Sequence, residues 1–173
     1  MQSLAHARAL AAYNRIMNLR IYAACANLSD SDRKRHTGAF FKSIHGTLNH
    51  LLVGDSVWMS RFTGQPVAIR SLDQELYADF DSLRSQRVAM DNAIVQCVDG
   101  LNAERLGSSL TYSSLAGDRT TTLPLWFVLT HFFNHQTHHR GQVTTLLSQC
   151  GHDPGVTDFI AIAECAAIAL GEA

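Results

Sequence analysis

The chain has 173 residues, with 14 Lys+Arg against 15 Asp+Glu and only two lysines. That length fits one domain over residues 1–173, and the near-neutral charge disfavours binding to the phosphates of nucleic acids. The four cysteines form no CxxC pair, and no secretion signal or run of about 18 apolar residues occurs, so we expect a cytoplasmic protein with reduced thiols and no membrane span.

Most of the chain is predicted to form long amphipathic helices, because apolar residues recur at three- and four-residue spacing and proline is rare. The first helix is expected over residues 3–26. The sequence SDSD at 29–32 supplies N-cap candidates for the segment that follows. A second helix is expected over 41–61, where the stretch FTGQP ends it, and a third over 72–98.

The segment LTYSSLAGDRTTTL at 110–123 is the least helical part of the chain. Its β-branched and aromatic residues on either side of AGDR predict a short hairpin or an extended loop. Pro124 fits the first turn of a long helix, which Thr121 or Thr122 would cap and which would end at Gly151. A last short helix is expected in the apolar tail.

These elements predict an all-α protein. The expected architecture is a four-helix bundle of the up-down-down-up type, with one irregular or hairpin crossover connection and a short C-terminal helix. In such bundles, binding sites are built from side chains on facing helices.

Four histidines lie within nine positions in the stretch HFFNHQTHHRGQ, residues 131–142. A helix advances by about 100° per residue, so His131, His138 and His139 all lie within about 60° of His135. Apolar residues share this side, which predicts that the cluster points inward. The pairs 131/135 and 135/139 both have the spacing at which two imidazoles bind one metal ion, and spacing does not choose between them. The alternative is a set of structural histidines that bind carbonyl groups or water.

A site within a bundle needs a ligand from another helix, and His50 is the strongest candidate. Gly46 and Gly54 lie one turn before and one turn after it, within about 40° of its direction. Glycine inside a helix costs about 1 kcal/mol relative to alanine, so the two glycines indicate room for a ligand or, equally well, close packing of a neighbouring helix. His45 points about 140° away from His50 and is predicted to be exposed.

Three stretches of the chain are together similar to a known family: YNRIMN at 13–18, TLNHLLVGDSVWMSRF at 47–62 and HFFNHQTHHRGQVTTLL at 131–147. In this order they resemble the DinB-like metalloprotein family, the damage-inducible helical proteins that are distinct from the similarly named DNA polymerase. The resemblance implies a four-helix bundle, a homodimer and a divalent ion, zinc or nickel, held by three histidines. Those histidines fall on His50, His135 and His139.

The resemblance leaves the other polar residues of the last long helix as neighbours of the site. His131, His138 and Gln142 would lie beside the metal ligands without binding the ion. Arg140 points about 140° away from His135 and is expected to pair with a carboxylate on a neighbouring helix or in the partner subunit.

Three neutral imidazoles leave the ion its full charge and an open position, as in catalytic zinc sites. Such an ion lowers the pKa of bound water to about 7 and deprotonates a bound thiol. The metal-facing side of the last long helix carries no carboxylate to transfer protons, which favours a thiol-dependent transferase of an unidentified small molecule slightly over a hydrolase. The resemblance points the same way, because relatives use low-molecular-weight thiols such as bacillithiol or mycothiol. A metal-binding stress protein without turnover is the third possibility.

Overall fold

The computed structural model describes residues 4–115 and 117–172. Residue 3, the predicted start of the first helix, and residue 116, in the predicted AGDR turn, lie outside these ranges. Four long helices make up most of the described part, and shorter elements join and flank them. In chain order, the elements are α1 (Leu4–Ala26), α2 (Asp30–Lys34), α3 (Ile44–Thr63), α4 (Phe80–Asp99), α5 (Ala103–Gly107), β1 (Ser109–Ser113), β2 (Thr120–Pro124), α6 (Leu125–Gln149), a 3₁₀ turn (Phe159–Ala161) and α7 (Ala163–Leu170).

The four long helices pack around a shared core. Both α1 and α3 contact α4 and α6, so each helix touches two of the others extensively. Buried apolar side chains from all four fill the space between them in two clusters. The short helix α7 packs on another side of α1, where Met17 contacts a third cluster that includes Ile162 and Cys165. Alanines on α1 allow these close approaches from more than one side.

The helices predicted over 41–61 and 72–98 are present but begin later than predicted, at the start of α3 and of α4. A capping side chain defines each start: Ser43 and Asp79 each accept a hydrogen bond from a backbone amide of the first helical turn. The segment between these two helices, residues 64–79, contains neither helix nor strand and is called the α3–α4 loop below.

The segment predicted to form a hairpin or extended loop, 110–123, forms a hairpin. Strands β1 and β2 pair in antiparallel register, so the class is mainly helical and the all-α prediction is wrong for this segment. Its threonines favour extended backbone because they are β-branched. Thr121 and Thr122 belong to β2, and α6 begins directly after Pro124 without a side-chain cap, so the predicted threonine cap is wrong.

Ser29, the first residue of SDSD, caps α2 by accepting a hydrogen bond from the amide of Asp32. All four cysteines are unpaired, as the spacing predicted. Within the described ranges, no helix combines the length and the apolar composition that crossing a bilayer requires.

Candidate metal centre

Three histidines from two long helices converge in the core between α3 and α6. Nε2 of His50 lies 3.2 Å from Nε2 of His135 and 3.1 Å from Nε2 of His139. One ring nitrogen from each of the three lies within 4.8 Å of the other two. Of the two pairs that spacing left open, the structure therefore brings the 135/139 pair to His50.

Hydrogen bonds on the far side of two rings determine which nitrogen faces the centre. Nδ1 of His50 lies 2.7 Å from the carbonyl oxygen of Leu72, and Nδ1 of His139 lies 2.8 Å from Oε1 of Gln142. Because these oxygens can only accept, both Nδ1 atoms carry the proton, and both Nε2 atoms carry a lone pair in the neutral rings. Two lone pairs at 3.1 Å repel each other unless a cation lies near them. This donor set fits a divalent metal ion.

Burial keeps the three imidazoles neutral. It lowers the pKa of His135 to about 3, and the neighbouring imidazoles, His139 foremost, act in the same direction. It also lowers the pKa of His50 and of His139, although their hydrogen bonds to Leu72 and Gln142 oppose the shift. Neutral imidazole is the form that binds a metal, so a cation fits between these rings better than a bridging proton does.

The third ring, His135, lacks an outer hydrogen bond. Its Nδ1 atom is buried and has no hydrogen-bond partner among the described residues. Histidines that bind metal ions usually have a hydrogen-bond partner on this outer nitrogen. The His135 ring is instead positioned by packing against Gly54 and against the rings of His50 and His139.

Gly54 provides the space in which the His135 ring lies. A Cβ atom added at Gly54 would lie 3.0 Å from Cε1 of His135, closer than Cβ atoms normally approach. Gly46 has a different neighbour, because its Cβ would collide with the carbonyl oxygen of Phe41, whose ring stacks on His50 with centroids 3.7 Å apart. Both glycines therefore allow close packing, and Gly54 does so for a residue of the centre itself.

Gly54→Ala is expected to weaken zinc binding by about tenfold or more, because the new methyl group displaces His135 and changes around metal ligands cost about 10–100-fold in affinity. Its free energy of unfolding without metal should change by less than about 1 kcal/mol, because the helix preference for alanine offsets the contact. Gly141→Ala is the matched control, since its Cβ would have no neighbour within 4 Å. Chelator competition and urea unfolding measure the two quantities, and equal zinc affinity in both variants would contradict the prediction.

Three polar residues of α6, Gln142, His138 and His131, lie near the group of three histidines. Gln142 receives the hydrogen bond from His139 and brings its Nε2 to 3.3 Å from Nε2 of His138. The ring of His138 lies 4.8 Å from that of His139, and the ring of His131 lies 6.2 Å from that of His135, measured between centroids. His131 and His138 are exposed, and neither belongs to the converging group of three.

Two residues near the centre have surroundings that differ from the predictions. His45 is buried, with 1% of its surface exposed, because the α3–α4 loop covers it and the carbonyl of Tyr77 lies 2.8 Å from its Nε2. Arg140 is buried as well, and burial lowers its pKa to about 10. It donates to the amide oxygen of Asn14 and, within the described part of the chain, makes no ion pair with a carboxylate.

A charged network that the sequence patterns did not reveal lies in the core beside the centre. Arg87 on α4 donates to Asp55 on α3 at 2.5 Å and lies 2.9 Å from Asp91. Asn14 and Asn18 on α1 donate to Asp91 at 3.2 Å and 2.8 Å. Burial raises the pKa of Asp55 to about 6 against the attraction of Arg87, so the carboxylate remains ionised at neutral pH. With Arg140 bound to Asn14, all four long helices contribute to this network.

Comparisons with known proteins identify similar chains. A profile described as the DinB family matches residues 1–170. Among solved structures, a DinB-like protein from Bacillus cereus ATCC 10987 aligns with a TM-score of 0.58 and 20% sequence identity, over 81% of this chain and 90% of that one. At this identity the likeness concerns the fold. No curated protein sequence gives a significant match.

Proposed function

Because the chain belongs to the DinB family, we propose that it is an enzyme that binds a divalent metal ion and uses this ion in its reaction. The proposed ligands are His50, His135 and His139. The observation that carries the proposal is the convergence of their buried, neutral imidazoles, of which two present lone pairs to each other at 3.1 Å. Zinc and nickel are the proposed ions, since imidazole is a suitable ligand for both.

Three protein ligands are the number found in catalytic zinc sites, where a further position admits water or substrate. An ion in such a site acts as a Lewis acid and lowers the pKa of a thiol or water molecule that binds to it. The residues of the chain prepare the ligands for this role. The carbonyl of Leu72 and the amide oxygen of Gln142 orient two imidazoles, and burial keeps all three in the neutral form.

We favour a thiol-dependent transferase over a hydrolase because the surroundings lack a general base of the carboxylate type. No Asp or Glu of the described residues forms a hydrogen bond with any of the three histidines, and Asp55, the acidic residue of α3, is bound to Arg87. Hydrolysis requires a group that accepts a proton from water, whereas a thiol that has lost its proton is already the nucleophile. The exposed imidazoles of His131 and His138 are the groups proposed to transfer protons at this centre.

The proposal includes three finer features. Contacts of α1 and α3 with both α4 and α6 support a four-helix bundle, for which we propose the up-down-down-up type. Trp126 in the first turn of α6 is 41% exposed, which supports a homodimer that covers it, whereas Phe133 on the same helix is already buried within the subunit. The unpaired cysteines support a cytoplasmic protein, since thiols stay reduced in that compartment.

Cobalt substitution tests the proposed reaction class. If a thiol binds the ion, 2-mercaptoethanol at millimolar concentration is expected to shift the visible absorption bands of the cobalt protein, and ethylene glycol, which lacks the thiol, is expected not to. A shift with anions but not with the thiol would favour the hydrolase. Bands that respond to neither would contradict both enzymatic functions and leave a metal-binding protein without turnover.

A further inference from the structure

The α3–α4 loop reaches the metal centre although it contains no helix or strand. Its length exceeds that of most connections in compact domains, and loops of this kind are often functional. The carbonyl of Leu72 in this loop accepts the hydrogen bond from Nδ1 of His50 at 2.7 Å. The turn that presents this carbonyl is closed by the amide of Arg70, which donates to Oε1 of Gln74 at 3.0 Å. The orientation of His50 therefore depends on where the loop lies.

Asn49, the residue before His50, fixes the same loop to α3. Its Oδ1 accepts hydrogen bonds from the backbone amides of Leu76 and Tyr77 at 2.9 Å and 3.0 Å. Its Nδ2 donates to the carbonyl of Tyr77 at 3.1 Å and to the carbonyl of His45 at 3.2 Å. The side-chain amide thus uses both of its acceptor sites and both of its donors while the residue is only 2% exposed.

We propose that Asn49 is a positioning residue of the metal centre: it holds residues 76–77 against α3 and so keeps the Leu72 carbonyl where that oxygen orients His50. This inference rests on the proposed function, because it assumes that His50 binds an ion. The hydrogen bond on the outer nitrogen of a ligand histidine fixes its tautomer and the direction of its ring. Removing the anchor frees the loop, and with it the carbonyl that holds Nδ1.

The proposal also implies a reciprocal effect. If the anchored loop favours metal binding by holding His50, then metal binding must stabilise the anchored loop by the same free energy. The part of the loop that contacts α3 through Asn49 should respond, whereas residues 65–69 are exposed or half-buried and make no hydrogen bond to the centre. Residues 65–69 can therefore serve as an internal reference when the response of residues 76 and 77 to metal is measured.

Asn49→Ala tests the proposal against Asn18→Ala, which removes another buried asparagine whose side chain hydrogen-bonds to Asp91 and, among the described residues, makes no hydrogen bond to the α3–α4 loop. Both variants lose buried hydrogen bonds and are expected to be less stable than the unchanged protein. Only Asn49→Ala should lower zinc affinity, by about 10–100-fold in chelator competition. Wild-type zinc affinity in Asn49→Ala, or an equal loss in Asn18→Ala, would overturn the positioning role.

Amide hydrogen exchange tests the same proposal in the unchanged protein, so its result does not depend on whether a variant folds. Saturating zinc is expected to slow exchange of the amides of Leu76 and Tyr77 and to leave residues 65–69 unaffected. If zinc binds but the amide exchange rates of residues 76 and 77 do not change, the inference is overturned and the proposed function stands. An unchanged protein that binds no zinc, nickel or cobalt would instead overturn the proposed function, and this inference with it.

Discussion

His50→Ala, His135→Ala and His139→Ala are each expected to lower zinc affinity by about two to four orders of magnitude. Structural zinc sites bind with about 10–16 kcal/mol, so the loss of one of three protein ligands removes roughly 3–5 kcal/mol. Zinc should raise the unfolding temperature of the unchanged protein, because it binds the folded state, and should hardly affect the three variants. Metal content after purification and chelator competition measure the difference directly.

His36→Ala is the control for this series, since His36 is exposed and outside the converging group. His45→Ala would be a poor control. It should keep all three proposed ligands, but it removes a buried ring that contacts the carbonyl of Tyr77, and so it lowers stability as well. Stoichiometric tight zinc in His50→Ala would refute the three-histidine centre.

Arg87→Met is expected to lower the free energy of unfolding by about 3–5 kcal/mol, because it leaves the carboxylates of Asp55 and Asp91 in the core without their shared cation. Methionine retains much of the aliphatic packing, so the loss reports mainly the uncompensated charge. Urea unfolding measured at neutral pH gives the value. Adding Asp55→Leu to Arg87→Met should recover part of the loss, since one of the two unpaired carboxylates is then gone.

Arg84→Met on the same helix is the matched control, because Arg84 is exposed. Its effect should stay within about 0.5 kcal/mol, as for most surface substitutions. If Arg87→Met were as mild as Arg84→Met, the buried network would contribute little to the fold.

Helical periodicity was sufficient to predict the long helices and the final short one, because apolar residues recur at three- and four-residue spacing along them. It could not locate the starts of α3 and α4, where Ser43 and Asp79 act as caps after irregular segments. The positions of the buried charges in the sequence do indicate a buried network. Arg87 and Asp91 continue the apolar stripe of α4 at four-residue spacing, where charged side chains must find partners in the core.

The spacing of the histidines predicted a metal site on α6 but did not decide between the 131/135 pair and the 135/139 pair. Resemblance to the DinB family selected His135 and His139 with His50, and these are the three that converge in the structure. The burial of His45 could not be predicted, because the direction of a side chain on α3 does not show where a loop of 16 residues, 64–79, will lie. Hydrogen bonds between a helix and an irregular loop have no periodic signature in the sequence.

Adjacent positions on α6 make contacts in different directions. His139 faces the centre, whereas Arg140, about 100° further around the helix, binds Asn14 of α1 in the charged core. A rotation of α6 about its own axis would break that bond and would also turn the imidazoles of His135 and His139 away from His50. The interior of the protein thus sets the torsional position of α6. The directions of these two imidazoles therefore depend on packing in the core and not on the surface loops.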